Sequence, residues 1–362
     1  MNERIEHCEV TAFTVPTDSP ESDGTLEWDS TTLVLVQLRC GRTTGLGYTY
    51  SHESCVPLIR EKLFSRVKGE DPMSPPKIYA AMTAAVRNFG RRGIASTAIA
   101  AVDNAAWDLK ARLLGRPLVE LLGAYRKKIP VYGSGGFTSY SKQQLRRQLA
   151  GWVDEGISMV KMKVGRQPDD DPLRVKWARS AIGRSAQLFV DGNGAYSLKQ
   201  ALSLAHQFAG QNVTWFEEPV GSDNLTGLRF IRERAPVGME ISSGEYNYDV
   251  MEAHRMLEAQ AVDVLQSDAT RCGVSGFLRA AKLCEVFDVP MSSHTAPALH
   301  AHLCCAARNA RHAEYFHDHV RIEQMFFDGA TTKHENGFLQ PDLSQPGFGL
   351  QFKAKDASRF QI

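Results

Sequence analysis

Three short runs rich in apolar and β-branched residues, 5–13, 32–38 and 45–50, stand between polar stretches near the start of the chain and read as strands. The polar stretch 17–29 and Cys40-Gly41-Arg42 separate them, and the pattern predicts an antiparallel meander with loops at both places. From 54 to 123 the periodicity changes to that of helices, at 56–64, 76–89 and the alanine-rich 96–114, the last stopped by Gly115-Arg116-Pro117. Strands followed by helices make an α+β unit.

Beyond about residue 128 the pattern changes again. Short β-rich runs recur at 129–132, 159–163, 188–191, 213–217, 239–243, 262–266, 289–293 and 313–317, with helical periodicity between most of them, at 142–155, 198–209, 225–234, 248–259 and 275–287. From Leu188 onward the strand starts repeat every 23 to 27 residues, the length of a strand-helix unit in a (β/α)₈ barrel. A doubly wound open sheet competes for the same alternation. However, Gly133-Ser134-Gly135-Gly136 lacks the third-glycine spacing of a dinucleotide loop, so the barrel is favoured. The expected organisation is an N-terminal α+β cap over 1–125, a barrel over 126–320, and a C-terminal segment, 321–362, that packs back on the cap.

Composition narrows the function classes. The 42 basic residues nearly balance 41 acidic ones, which implies neither a nucleic-acid surface nor another polyanion partner. The opening Met-Asn-Glu-Arg-Ile-Glu-His lacks the apolar core of a signal peptide, and no later run approaches bilayer length. A soluble, cytoplasmic protein without membrane partners is expected. Seven cysteines without a Cys-x-x-Cys pair argue against a disulfide framework or a zinc site, and Cys304-Cys305 reads as helix packing.

Candidate chemistry falls at the C-terminal ends of the strand runs, where a barrel collects its catalytic groups. Strand alternation points Lys161 and Lys163 the same way, with Val160, Met162 and Val164 opposite. Such a pair alone is more often a solvated edge. In a shared site each ammonium disfavours protonation of the other, so one lysine is expected to move towards neutrality and act as a base at about pH 7. Asp191, Glu217 and Glu245 end the next three runs, an all-oxygen set suited to Mg²⁺. Singly, each acid is as readily a helix cap or ion-pair partner. Glu218, facing away and followed by Pro219, is expected in a supporting or capping role. Asp268 and His294 end adjacent strands, where a carboxylate fixes the imidazole tautomer and raises its basicity. Arg271 is placed to hold a substrate carboxylate or to form a structural ion pair. His300, His302, His312, His317 and His319 read mostly as helix-surface or supporting groups.

These residues lie in six ordered motifs: Lys161-Met-Lys163, Asp191-Gly-Asn193-Gly-Ala-Tyr196, Trp215-Phe-Glu217-Glu218-Pro219, Ser243-Gly-Glu245, Asp268-Ala-Thr-Arg-Cys-Gly273 and Ser292-Ser-His294. Together with the helix-like 98–117 they closely resemble the enolase superfamily, mandelate racemase subgroup, from about residue 30 to beyond 320. The resemblance implies Mg²⁺ on Asp191, Glu217 and Glu245, a base at Lys163 assisted by Lys161, and a second base at His294 paired with Asp268. Glu245 follows Glu217 by 28 residues where an even repeat gives 26, so Glu240 stays open as a third ligand. The family's further acid at the end of strand eight is left between Glu314, His317 and Asp318. Asn193, Arg271, Tyr48, Glu314 and His317 are the expected substrate contacts. Specificity loops are expected at 17–28 and 46–52, with Asp23, Trp28, Tyr48, Tyr50 and His52. The implied reaction removes the α-proton of a small hydroxy-carboxylate. Dehydration of an aldonic or aldaric acid to a 2-keto-3-deoxy acid stands ahead of racemisation or epimerisation, of a hydroxy acid or a cyclic amino acid. A binding protein on a decayed barrel is the rival outside catalysis, and the resemblance also implies a homo-oligomer.

Overall fold

The first three strands, β1 (His7–Ser22), β2 (Glu27–Cys40) and β3 (Thr43–Tyr50), form an antiparallel meander in the order β1-β2-β3. This computed structural model describes residues 4–330 and 333–362. Residues 1–3, part of the opening stretch read for a signal sequence, and 331–332, in the C-terminal segment, lie outside the described residues. The polar stretch expected as a loop is largely strand. Glu21 pairs with Trp28 and Ser22 with Glu27 beyond a register shift between Pro16 and Glu21. A two-stranded extension with polar residues on both faces carries no period-two signal, so the pattern missed it.

The meander buries both faces. Leu33, Leu35, Leu46 and Tyr48 join the core shared with the barrel, whereas Val34, Val36 and Leu38 pack beneath the cap helices. The helix Ile94–Leu113 lies directly on β3. An added Cβ at Gly47 would sit 2.2 Å from the Ala105 nitrogen and 2.3 Å from the Ala101 oxygen. Glycines facing an alanine-rich helix therefore allow backbone to touch backbone.

Eight parallel strands follow: β4 (Ile129–Gly135), β5 (Met159–Lys163), β6 (Gln187–Asp191), β7 (Val213–Glu217), β8 (Glu240–Ser243), β9 (Val264–Ser267), β10 (Met291–Ser293) and β11 (Ala310–Phe316). Pairing of β11 with β4 closes the barrel, as the repeat predicts. The helix Asp171–Ile182 between β5 and β6 is absent from the sequence reading, because its buried face includes the polar Asp171 and Arg174 as well as Val175 and Ala178. Inside the barrel, Tyr132, Met159, Phe189, Trp215 and Val264 make a separate apolar cluster. Lys161, Asp191 and Glu217 follow Met159, Phe189 and Trp215 by two residues, so alternation stacks a charged layer on an aromatic floor.

The C-terminal segment returns to both units. Phe338–Leu339 pairs antiparallel with the start of β4, Gly347 bridges to Pro117, and Gln361 bridges to Phe13. The Phe348 N–H donates to Asp108 Oδ1 at 2.7 Å. Cys304 and Cys305 are buried thiols. Among the described residues no helix is long and apolar enough to cross a membrane.

Candidate active site

Read around the rim, the strand ends present Lys161 and Lys163 (β5), Asp191 (β6), Glu217 (β7), Glu245 (after β8), Asp268 (after β9), His294 (after β10) and Glu314 (β11). One carboxylate oxygen each from Asp191, Glu217 and Glu245 lies within 4.8 Å of the other two, and all three side chains are buried. Glu240, the alternative third ligand, instead forms a two-pronged ion pair with Arg311 at 2.6 and 2.8 Å. Its strand position puts it at the barrel's opposite end. Glu218 adopts a left-handed backbone (φ 38°), and its carboxylate accepts from the Ser243 hydroxyl at 3.0 Å.

The two lysines face these acids. Lys161 Nζ lies 2.7 Å from Glu217 Oε1, 2.8 Å from Glu314 Oε1 and 3.6 Å from Asp191 Oδ2, and Lys163 Nζ lies 2.5 Å from Asp191 Oδ2. The expected drift of one lysine towards neutrality is reversed. Burial would lower Lys163, and Lys161 adds to that, but the combined field of Asp191, Glu245 and Glu217 outweighs both and holds the ammonium above its usual range. In turn Asp191 is held low, because Lys163 and Lys161 overcome the effect of its burial. Glu217 moves the other way, pushed up to about 8 by burial and by Asp191.

Across the rim, His294 Nδ1 bonds Asp268 Oδ2 at 2.9 Å, leaving Nε2 towards the cavity. There it approaches Glu245 Oε2 at 3.3 Å without hydrogen-bonding geometry, and that oxygen has no hydrogen bond. Burial opposes protonation of His294, yet Glu245 and the bond to Asp268 raise it above the ordinary imidazole value. Asp268 also caps the helix that follows it, accepting from the Thr270 N–H at 2.7 Å.

Lys163, Asn193, Glu245, Asp268, Arg271, His294 and Glu314 line one cavity of about 320 Å³. Two expected substrate contacts do not reach it. Tyr48 is fully buried: its hydroxyl donates to Glu323 Oε1 at 2.5 Å and its ring stacks on Phe327. Tyr48 and Tyr50 share one face of β3, their ring centres 5.8 Å apart, and the strand runs from the buried layer at Tyr48 out to the cavity at Tyr50. His317 opens the helix after β11 and pairs with Asp18 at 2.9 Å outside the cavity. Asp318 accepts from Thr31 at 2.5 Å and pairs with Arg321, which leaves Glu314 as the strand-eight acid in the site. Its Oε2 accepts from the Thr295 N–H at 2.7 Å.

His300, His302, His312 and His319 are buried, which removes the helix-surface alternative for these four and leaves the supporting one. His319 lines the cavity, stacked on Tyr50 with ring centres 3.4 Å apart. Burial and the neighbouring His294 push it down to about 3, so it is neutral. Nothing in its local sequence distinguishes it from His317. Of Ser30, Thr31 and Thr32, also in the lining, the sequence reading placed only Thr32, as the start of a strand.

The acids suit magnesium on their own geometry. Their donors are all hard oxygens, Glu245 Oε2 is buried without a hydrogen bond, and the upward push on Glu217 reflects the negative charge gathered there.

Residues 8–123 match the N-terminal domain of the mandelate racemase / muconate lactonizing enzyme family, and 144–357 match the enolase C-terminal domain-like family. The chain belongs to the enolase superfamily, mandelate racemase subgroup. Within this superfamily it is similar to a mandelate racemase/muconate lactonizing enzyme-like protein from Rubrobacter xylanophilus, 50% identical with a TM-score of 0.97 over 99% of this chain and 100% of that one. A magnesium-bound racemase from Streptomyces coelicolor is 26% identical, with a TM-score of 0.92 over 99% and 100%. The L-talarate/galactarate dehydratase of Salmonella typhimurium is 29% identical over 84% of this chain and 79% of its own.

Proposed function

We propose that this enolase-superfamily enzyme removes the α-proton of an acid sugar and dehydrates it to a 2-keto-3-deoxy acid. The observation that carries this reading is the opening of Lys163 and His294 onto one cavity, with Asp191, Glu217 and Glu245 along the rim between them. Lys163 and His294 are separated by β4 and β11 on one side and by the acid-bearing strands on the other, which puts a proton carrier on each side of a ligand. In this reading Lys163 takes the α-proton, and Lys161, locked between Glu217 and Glu314, keeps the neighbouring charge fixed. His294, oriented by Asp268 and biased towards its protonated form, delivers a proton to the departing hydroxyl. Arg271 positions the carboxylate end, and Asn193 accepts from a substrate hydroxyl.

Asp191, Glu217 and Glu245 would hold Mg²⁺, which supplies positive charge beside the enediolate and offsets the carboxylate field acting on Lys163. The chain's own groups do the proton transfers. Relatives that include a dehydratase and a racemase support α-proton chemistry, and a setting as a soluble, cytoplasmic homo-oligomer accompanies the reading.

The test is incubation of the magnesium-loaded enzyme with a panel of acid sugars in D₂O, following 2-keto acid formation and α-deuterium incorporation. Keto acid is the expected product. Exchange with inversion and no keto acid would replace dehydration by racemisation, and silence on both channels would refute α-proton chemistry on these acids.

A further inference from the structure

The outer wall of the cavity, away from the acids, comes from the first sheet: Asp23, Ser30, Thr31, Thr32, Tyr50 and Ser51. Among the described lining residues, lysine and arginine are limited to Lys163 and Arg271, both on the barrel rim. Arg271 is already engaged, donating to the Glu245 carbonyl at 3.0 Å and lying 4.4 Å over the Tyr246 ring. The wall therefore offers hydroxyls and one carboxylate, with no cation.

Asp23 is rigidly placed. It starts the turn between β1 and β2, and its bonds to the Thr25 and Leu26 N–H groups and the Thr25 hydroxyl all fall on Oδ1. The next residue, Gly24, sits on the barrel rim so tightly that a Cβ would meet the Gly192 oxygen at 2.6 Å and the Val164 oxygen at 2.8 Å. Those are the loops that leave Asp191 and Lys163. Thr138 adds a second clamp, its N–H donating to the Ser22 carbonyl and its hydroxyl to that of Asp23, both at 2.8 Å. Asp23 is 7% exposed and lines the cavity, so it meets whatever fills it.

A ligand tail must therefore satisfy acceptors. Asp23 presents a carboxylate oxygen that the turn does not use, and Asn193 Oδ1 is buried without a partner. Hydroxyl groups donate to both. A second carboxylate donates to neither and would be desolvated beside a like charge without a counter-ion. We infer that the site selects acid sugars with one carboxylate and a neutral polyhydroxyl tail (aldonates), and that Asp23 excludes the corresponding dicarboxylates (aldarates). This inference rests on the acid-sugar reading above, and it separates the chain from the Salmonella relative, whose talarate and galactarate are dicarboxylates.

Matched pairs test it: gluconate with glucarate, galactonate with galactarate, and arabinonate with arabinarate. The wild-type enzyme with Mg²⁺ should favour the monoacid of a reactive pair by about tenfold or more in kcat/KM. Asp23→Asn keeps the Oδ1 acceptor that holds the turn, and should narrow that preference to about threefold or less by improving the diacid. Calorimetric titration of the Lys163→Ala enzyme with the same pairs reads the wall without turnover, and Asp23→Asn in that background should narrow the same ratio. Equal or tighter binding of diacids overturns the inference while leaving the dehydratase reading intact. A preference that Asp23→Asn leaves unchanged removes Asp23 from the role. Selective binding of monoacids with no turnover of any acid upholds the inference and refutes the reading, and failure to bind any of the acids refutes both.

Discussion

Glu323 offers a stability test that also decides how Tyr48 is used. Its side chain is fully buried, accepting from the Tyr48 hydroxyl on Oε1 and from the Ala298 N–H on Oε2. Burial pushes it up to about 8 from an ordinary value of 4.5, against the smaller opposing effect of those two bonds. Below 4.5 both folded and unfolded chains hold the proton, so the full stability is present. As pH rises the unfolded chain releases it first, and stability falls by about 1.4 kcal/mol per pH unit until the folded carboxyl also ionises at about 8. From about pH 5 to about pH 7.5 the loss approaches about 3 kcal/mol. For a chain of 362 residues, an unfolding entropy of about 2.1 cal/mol/K per residue converts this to about 4 °C in Tm. Glu323→Gln mimics the protonated acid, with Nε2 facing the Tyr48 oxygen and Oε1 accepting from Ala298. Scanning calorimetry of both proteins should show the variant losing about 4 °C less than wild type across that interval. Asp103 and Glu21, raised to about 7 and about 8 mainly by burial, drift the same way in both proteins and cancel in the difference. Parallel Tm curves would refute a neutral Glu323, and with it the view that Tyr48 serves the core.

Lys163→Ala and His294→Asn should each lower kcat by about a thousandfold or more while magnesium affinity, followed by calorimetry, stays within about tenfold. Full activity in either variant would remove that residue from proton transfer. Adding Mg²⁺ to about a hundred times its Kd should stabilise the metal-free protein by about 2.7 kcal/mol, a rise of about 3 to 4 °C in Tm, and Glu245→Gln should remove most of that rise. Gly24→Ala should lift the hairpin tip off the rim, raising KM more than it lowers kcat with Tm nearly unchanged. An unaltered KM would mean that the tip does not shape the site.

The strand ends were legible because a barrel converts a linear repeat into a ring. Once eight runs with a regular spacing are recognised, Lys163, Asp191, Glu217 and His294 fall on one rim without any knowledge of packing. Glu245 was harder, since it lies past the end of β8 and its register depends on the turn at Gly244, whose φ is 131°. Contacts made by the cap were less legible. Tyr48 and Tyr50 lie on the same face of β3, and which of them meets the cavity is set by where along the strand the sheet leans on the barrel, a long-range fact. His317 and His319 differ only in the turn of the helix they begin, and the sequence around them gives no cap or periodicity that ranks one above the other. The lysine ionisation failed for a different reason. Two like charges were weighed against each other, while the three-dimensional site adds Asp191 at hydrogen-bonding distance.

The returning C-terminal strap limits how this enzyme can be recombined. Gly347 presses so closely on Asp108 that a Cβ would lie 2.0 Å from Oδ1, and Asp108 holds Leu46 of β3 through its other oxygen. A chimera that imports the first sheet from a relative, to borrow its ligand preference, would therefore have to import residues 346–362 as well. Inheritance of the first sheet is tied to residues 346–362, and loop grafting at the hairpin tip is the smaller, separable operation.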